Sequence, residues 1–365
     1  TTFQVTVADT LAIVEELIPG DPDGPLTARS KLCVPFNLPD CSVYANPAEA
    51  AALLPEVYGD FTTGGLRGAV PAVCVDKVNF IYAAAGHAVK SITAVFVDDV
   101  EKTIGVDVIV SLADNVENQG IIATLDFPSN PDGQVTWRGT GRTELDSTLI
   151  TNPIRQLEFI LQRRAGFGAA DFDATELAQA KADCDTQGYQ TAWVVGDDRE
   201  IQERLTEWLF NVMGFWRVNG REQLQFAVDA GGAPPESSIV ASVIASRDVI
   251  DGDDGVEMLF DRQHLVNDLT VYYLWSWSLE QASSRLVDFS ADAIAVKSKN
   301  AHGEVRKAVT LRGLRDASMV RTWAGVLFER QGFANRIEGA IVGFTVQHAL
   351  LAHATVGDYL ALTWA

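Results

Sequence analysis

The sequence predicts an α+β protein in which a β-rich framework is interrupted by a small inserted α/β domain. Residues 152–232 contain three segments with helix-capping signals and one hairpin signal. The segments on either side are short, rich in β-branched residues and separated by Gly, Asp, Asn and Pro clusters. We therefore predict an N-terminal extension over 1–56, a β-rich domain in two parts (57–151 and 233–365) and an insert over 152–232. The second part contains one predicted helix.

The first two predicted helices have clear start signals, and the second also has a stop signal. Asn152 precedes Pro153, and proline is favoured at the first position of a helix. The apolar stripe of this helix consists of Ile154, Leu157, Ile160 and Leu161. Asp173 followed by Glu176 resembles a capping box, and Gly188 stands where the second helix should end.

The third predicted helix and a hairpin complete the insert. Asp198 is the expected cap and Gly214 the expected stop. The apolar stripe of this helix consists of Ile201, Leu205, Trp208, Leu209 and Val212. The following run FWRVNGREQLQF predicts two strands joined by a two-residue turn at Asn219-Gly220.

The flanking regions read as strands. Before the insert, the predicted strands are VNFIYAAA, SITAVFVD, VDVIVSLA, GIIATLDF and GQVTWRGTG. After it, the period of two in DLTVYYLWSW predicts a long strand. One face of that strand should carry Leu269, Val271, Tyr273, Trp275 and Trp277. KAVTLRGL is a further strand, and Asp316 should cap a helix that ends at Gly332.

The charge balance restricts the class of partner. The chain has 49 acidic and 28 basic residues, a net charge of −21. Such a surface repels phosphates, so tight nucleic-acid binding in a charged groove is disfavoured. Solubility or a saline environment is the simplest explanation of the excess. No apolar run approaches the length that spans a bilayer, and the first residues carry no secretory signal.

The four cysteines offer the best case for a metal centre, and it is a weak one. Cys33, Cys41, Cys74 and Cys184 are widely spaced and include no C-x-x-C pair. Buried thiols explain them more simply. An iron–sulfur or zinc site built from them is the alternative, and we expect neither a metal nor another cofactor.

Other motifs for catalysis or binding are incomplete. His348 and His353 lie at an odd spacing, and His87 has no carboxylate close in sequence. Ser298 is predicted to lie in a solvated basic turn, and IDGDDG around residue 252 lacks the full ligand set of a calcium loop. Phe215 and Trp216 are adjacent on a predicted strand, so one faces inward and the other is a candidate interface residue.

The order of these elements resembles a known family. The runs NPIRQLEFILQRRAGFG, DFDATELAQAKADCDTQGYQTAWVV and REIQERLTEWLFNVMGFWRVNGREQLQFAVD are similar to the middle of tail-tip or baseplate hub proteins of long-tailed, siphovirus-like bacteriophages. EVYGDFTTGG with AVCVDKVNFIYAAAGHAVKSITAVFVDD, and DASMVRTWAGVLFERQG with VGDYLALTW, resemble flanking parts of such proteins. The resemblance runs from about residue 57 onward and consists of structural patterns.

The resemblance implies a non-enzymatic structural virion protein. Barrel-like, tube-type hub domains would form a homotrimeric ring that closes or continues the tail tube and passes DNA through an acidic channel. Its partners would be other tail-tip proteins, the tail tube or distal tail protein, the tape-measure protein and fibre proteins, with DNA only in transit. The protein would be made in the host cytoplasm and reside in the virion tail. Two alternatives stay open: a virion-associated cell-wall hydrolase, and a carbohydrate- or receptor-binding module using Trp275 or Trp277.

Overall fold

The protein has a mixed α+β fold in which most strand pairs are antiparallel. The computed structural model describes residues 2–4, 53–63, 68–116, 120–197, 199–231, 239–244, 257–259, 265–331, 341–343 and 359–363. The described residues contain five α-helices. They are α1 (Pro153–Arg164), α2 (Ala174–Gln187), α3 (Ile201–Phe210), α4 (Ala293–His302) and α5 (Ala317–Gln331).

Helices α1 and α2 begin as predicted, and α2 also ends as predicted. The side chain of Asn152 accepts hydrogen bonds from the amides of Ile154 and Arg155, and Asp173 does the same for Thr175 and Glu176. Gly188 ends α2 with φ 69°, a left-handed conformation that favours glycine. The four residues of the predicted α1 stripe are all buried.

Helix α3 differs from the prediction at both ends. Glu200, which makes no side-chain capping bond, precedes the helix; Asp198 lies outside the described residues. The helix stops at Phe210 rather than at Gly214, because residues 211–213 already form a turn and Met213 has φ 52°. Gly214 instead opens the next strand. All five residues of the predicted stripe are buried.

The hairpin after α3 is confirmed, but its two-residue turn is wrong. Its strands are Gly214–Val218 and Leu224–Val228. The amide of Asn219 bonds to the carbonyl of Gln223, and that of Glu222 bonds to the carbonyl of Asn219. Glu222 has φ 60°, so the loop has three residues and ends in a left-handed position. Asn219 Oδ1 stabilises this loop by accepting from the amides of Arg221 and Gln223.

The strand-rich prediction for 57–151 is confirmed. The strands up to residue 140 are β1 (Thr2–Gln4), β2 (Glu56–Tyr58), β3 (Val70–Pro71), β4 (Val73–Asp76), β5 (Ile81–Ala85), β6 (Ser91–Val97), β7 (Val100–Lys102), β8 (Ile109–Val116), β9 (Gly120–Asp126) and β10 (Val135–Thr140). They are followed by β11 (Trp193–Val195) and the hairpin strands β12 and β13.

Two four-stranded sheets dominate this region. Their strand orders are β3-β10-β6-β7 and β4-β5-β9-β8. They share one hydrophobic cluster, to which the first sheet contributes Val95 and Trp137 and the second contributes Ala84 and Leu125. The Trp137 indole donates to the Ala84 carbonyl across the cluster at 3.1 Å. Among the described strands no sheet closes into a barrel.

The strands after the insert are β14 (Ile239–Ile244), β15 (Glu257–Leu259), β16 (Asp268–Ser276), β17 (Gln281–Leu286), β18 (Arg306–Thr310), β19 (Ile341–Gly343) and β20 (Tyr359–Thr363). Strand β16 is central in the sheet β17-β16-β18. The described part after residue 233 contains two helices where one is predicted, because α4 occupies the segment read as a basic turn. Helix α5 follows Asp316 as predicted; Gly332 lies outside the described residues.

The alternation predicted along β16 stops at Leu274. Leu269 and Val271 are buried, in agreement with the prediction. Leu274 has φ 55°, which lies outside the β region and shifts the following residues to the other side. Consequently Ser276 is buried while Trp275 is only partly covered.

The largest hydrophobic cluster joins residues of the predicted insert to residues of 265–331. Tyr58, Trp193 and Trp208 belong to it, as do Leu269 and Trp323. Strand β11, which lies in the predicted insert, pairs with β2, which precedes the insert in sequence. The division into domains remains a prediction. None of the helices in the described segments combines the length and apolar character needed to cross a bilayer.

Candidate functional site: the Glu56 cluster

Strand β2 carries Glu56, a fully buried glutamate that pairs with two arginines from other parts of the chain. It lies between β11, with which it pairs, and the backbone that follows β10, where the Arg142 amide donates to the Val57 carbonyl at 2.9 Å. Gly59 ends the strand with φ 85°, and a Cβ there would lie 2.2 Å from the carbonyl oxygen of Thr191. This close backbone contact requires glycine at the end of β2.

Glu56 has no exposed surface, and both of its carboxylate oxygens are occupied. Oε2 accepts from the Tyr58 hydroxyl at 2.9 Å and from Arg142 Nη1 at 3.0 Å. Oε1 accepts from Arg164 Nε at 2.7 Å and also from Arg164 Nη2. Arg164 is the last residue of α1, so the cluster ties the strand to that helix. We call Glu56, Tyr58, His87, Arg142 and Arg164 the Glu56 cluster.

The two arginines keep the carboxylate ionised. Burial raises the pKa of Glu56, but the charges of His87, Arg142 and Arg164 and the hydrogen bond from Arg164 together lower it to about 2. Because His87 is itself uncharged at neutral pH, Arg142 and Arg164 supply this stabilisation under ordinary conditions. Burial and the adjacent carboxylate also raise the pKa of Tyr58 well above its usual value, so the phenol stays protonated.

His87 lies beside the carboxylate of Glu56, a neighbour that is distant in sequence. Its Nε2 accepts from the Val57 amide at 2.8 Å, and its Nδ1 lies 2.7 Å from the Ala88 carbonyl. These partners require the neutral ring with the proton on Nδ1. Burial lowers the pKa of His87 to about 4, despite Glu56 Oε2 at 3.8 Å.

Aromatic rings cover the cluster on the α1 side. The ring centroids of Phe159 and Tyr58 are 6.4 Å apart. The guanidinium carbon of Arg142 lies over the Phe159 ring, 4.7 Å from its centroid. Arg163 contacts the same ring from 5.5 Å. The cluster therefore combines an ionised carboxylate, two guanidinium groups, a neutral histidine and a protonated phenol. Its chemistry is suited to joining β2, the segment after β5, the end of β10 and α1.

A second glutamate with two arginines lies at the surface. Glu207 on α3 receives Arg199 Nη1 at 2.9 Å and Arg312 Nη1 at 3.0 Å. Arg312 also lies over the Trp275 ring at 4.5 Å. The Glu207 side chain is 23% exposed. We call Glu207, Arg199 and Arg312 the Glu207 network; it ties the insert to the segment after β18.

Further contacts close the same junction. Arg330 on α5 pairs with Asp229 through two bonds of 2.6 Å. The Trp323 indole donates to the Phe210 carbonyl, and the Gly313 amide donates to Asn211 Oδ1. The insert is thus connected to 265–331 by ion pairs, backbone bonds and a shared core.

The described residues include two of the four candidate metal ligands, Cys74 and Cys184. Cys33 and Cys41 lie outside the described residues. Cys74 is partly buried on β4, and Cys184 is buried on α2; neither forms a disulfide among the described residues. The described part contains no group of three or more His, Cys, Asp or Glu side chains arranged for a metal. Burial raises the pKa of Cys184, which disfavours its thiolate.

The two predicted interface residues occupy different environments. Trp216 packs against the large cluster and donates to Thr206 Oγ1 at 3.2 Å. Phe215, whose neighbour across the hairpin is Ala227, is half-buried. Phe215 is the residue of the pair left as an interface candidate, and that role remains a prediction.

Several other sequence candidates have structural explanations. Ser298 lies on α4, not in a solvated turn, and is buried with its hydroxyl accepting from Asn267 at 3.1 Å. Asp98 and Asp99 both have positive φ and form the two-residue turn between β6 and β7. His264, His348, His353 and residues 251–256 lie outside the described residues.

The sequence alone does not indicate a functional or structural site at Glu56, Tyr58, Arg142 or Arg164. A signal existed for the first: Glu56 stands in the apolar run LLPEVYG, where an ionised side chain has to be compensated. No local pattern indicates its partners, because Arg164 lies 108 positions away.

The chain matches no model of a known protein family, and it matches no curated protein.

Proposed function

We propose that this chain is a structural protein of a bacteriophage tail tip, where it acts as a hub in a homotrimeric ring that closes or continues the tail tube. The observation that carries the proposal is the order of elements on which the resemblance rests. Three helices and a hairpin follow one another between residues 153 and 228, flanked by strands on both sides.

The distribution of charge supports a structural role. In the Glu56 cluster, the described chain uses five ionisable side chains to join segments distant in sequence. The Glu207 network and the Asp229–Arg330 pair do the same at the other side of the insert. Such cross-links suit a component that transmits force during DNA ejection.

The net charge of −21 supports the passage of DNA without tight binding. Carboxylates lining a channel repel phosphates, which keeps the polymer mobile. In this proposal tail-tube, tape-measure and fibre proteins are neighbours of the ring, and the chain performs no catalysis.

The aromatic side chains considered for sugar binding are engaged elsewhere. Trp275 is covered by Arg312, and Trp277 packs against the hydrophobic clusters. No observation favours the hydrolase or the carbohydrate-binding alternative over the structural role.

The decisive experiment locates the chain in an intact particle. Image reconstruction of purified virions, with an affinity tag on the chain as a marker, should place three copies around the axis at the distal end of the tail. Density for the tag in the capsid, or no tag in washed virions, would refute the proposal.

A further inference from the structure

Two surfaces of the described chain expose apolar side chains and carry opposite charge. Among the described residues, twelve large apolar side chains are exposed, and six of them lie on these surfaces. Four are on the segment from the β6–β7 turn to the start of β8; of the other two, one lies on β16 and one directly follows β17.

The first surface, here called the acidic edge, comprises residues 98–109. Strands β7 and β8 are each the last strand of their sheet, so one side of each backbone has no strand neighbour among the described residues. The exposed apolar side chains are Val100, Ile104, Val106 and Ile109. The same segment contains four acidic side chains and one basic one: Asp98, Asp99, Glu101, Asp107 and Lys102.

The second surface, here called the basic face, is the open side of the three-stranded sheet. The other side packs on the core through Leu269, Val271 and Val309. The open side carries Tyr272, with Arg285 opposite it on β17 and Thr310 beside it on β18. Val287, two residues beyond Arg285, is 51% exposed.

The charges of the basic face are not fully compensated within the chain. The open side carries Arg285 and Arg306 with the acidic residue Asp268, whereas Lys307 is level with Leu269 and lies on the other side. Arg306 pairs with Asp268 and with Glu304. Arg285 makes no ion pair within the described residues, and neither do Glu101 and Asp107 on the acidic edge. The basic face therefore has an uncompensated arginine, and the acidic edge has uncompensated carboxylates.

We propose that the acidic edge of one copy of this chain docks on the basic face of the next copy. Apolar side chains surrounded by charged ones are typical of protein–protein contacts. Three strands about 4.8 Å apart give a face roughly 10 Å wide, which accommodates the edge of a hairpin. Because the two surfaces differ, the contact is head-to-tail, and such contacts close into rings when the rotation between copies allows it.

This inference rests on the proposed ring but specifies its contact. In a homotrimer each chain would use both surfaces once. Each surface binds the opposite surface of a neighbouring copy and not its own counterpart. A copy that lacks one surface should therefore still bind a neighbour through the other.

The test uses two variants of the full chain. The edge variant carries Val106→Lys and Ile109→Lys, which place positive charge against the basic face. The face variant carries Tyr272→Ala and Arg285→Ala, which remove an aromatic and an arginine, residue types that dominate interface energies. All four positions are exposed, so circular dichroism should show an unchanged fold.

Sedimentation velocity then measures self-association over a range of concentrations. Wild type should associate. For each variant alone, the dissociation constant of self-association should rise by at least about tenfold, a change of about 1.4 kcal/mol. An equimolar mixture of the two variants should form a 1:1 dimer through the one intact edge and the one intact face. Val78→Lys is the matched control: Val78 is 83% exposed, lies off both surfaces, and should leave association unchanged.

Three outcomes would overturn the inference. They are a wild type that stays monomeric at every concentration, a variant that associates like wild type, and a mixture that does no better than either variant alone. The virion experiment separates this failure from failure of the proposed function. A chain found at the tail tip without this contact refutes only the inference, whereas the contact in a chain absent from the tail refutes only the tail-tip role.

Discussion

The Glu56 cluster and the Glu207 network use the same chemistry in different surroundings. Each places one glutamate between two arginines from other segments. The Glu56 side chain has no exposed surface, whereas Glu207 is 23% exposed and its arginines are 34% and 37% exposed. Water can replace a lost partner in the network but not in the cluster. The two sites should therefore differ greatly in how much stability depends on each carboxylate.

The largest expected effect comes from removing the buried charge. Glu56→Gln leaves the buried Arg142 and the partly buried Arg164 without a counter-charge, so the free energy of unfolding should fall by about 3–5 kcal/mol. Urea denaturation followed by fluorescence measures this. A loss below that of Glu207→Gln would contradict the distinction between the two sites.

Substitution of Gly59 should be the next most damaging, because this residue fixes the end of β2. Gly59→Ala adds a Cβ 2.2 Å from the Thr191 oxygen at φ 85° and should cost roughly 2–4 kcal/mol of unfolding free energy. Gly105→Ala is the matched control, since Gly105 has φ 86° with no atom within 4 Å of a Cβ. That control should cost only about 1–2 kcal/mol, from the backbone conformation alone. Equal losses in the two variants would show that the close contact is unimportant.

The pH dependence should separate the cluster from the network, which contains no histidine. His87 has a pKa of about 4 when folded against 6.5 as a model group, so the unfolded chain binds more protons between these values. The contribution of neutral His87 is complete above pH 6.5 and is lost as pH falls towards 4. Between pH 7 and pH 5 this loss should reach about 2 kcal/mol.

Urea midpoints at the two pH values, compared with those of His87→Gln, test this expectation. The variant removes the titrating ring, so its stability should change less over the same interval. If wild type and variant lose the same amount, another group is responsible for the pH dependence.

The smallest effect is expected at the surface network. Glu207→Gln should cost less than about 1 kcal/mol, because exposed ion pairs gain little over hydrated charges. Added salt should reduce the difference from wild type further. A loss as large as that of Glu56→Gln would mean that exposure does not distinguish the two glutamates.

Local signals predicted the elements well where a short stretch of chain determines the outcome. The caps at Asn152 and Asp173, the stop at Gly188 and the buried stripe of α3 follow from neighbouring residues. The turn after β12 was mispredicted because Asn219 organises a three-residue loop through its own side chain.

Features that depend on distant residues were out of reach. The positive φ of Leu274 arises within a packed sheet. No glycine or asparagine, the residues that favour this conformation, stands at that position to predict it. The helix α4 lacks an apolar stripe in sequence, since its buried residues are only Ala295 and Ser298. The Glu56 cluster forms where four segments of the chain come into contact. A single sequence does not indicate contacts between segments that are distant in sequence.

The pairing of Glu56 with Arg164 also has a consequence during synthesis. The two residues are separated by 108 positions, and β2 additionally pairs with β11 beyond α1. A ribosome completes all the strands from β2 to β10 before it delivers the arginine. Until then Glu56 lacks one of its two arginine partners, so burial of its carboxylate is less well compensated. The emergence of α1 is therefore the step that completes the set of charged partners around Glu56, after every strand from β2 to β10 has been synthesised.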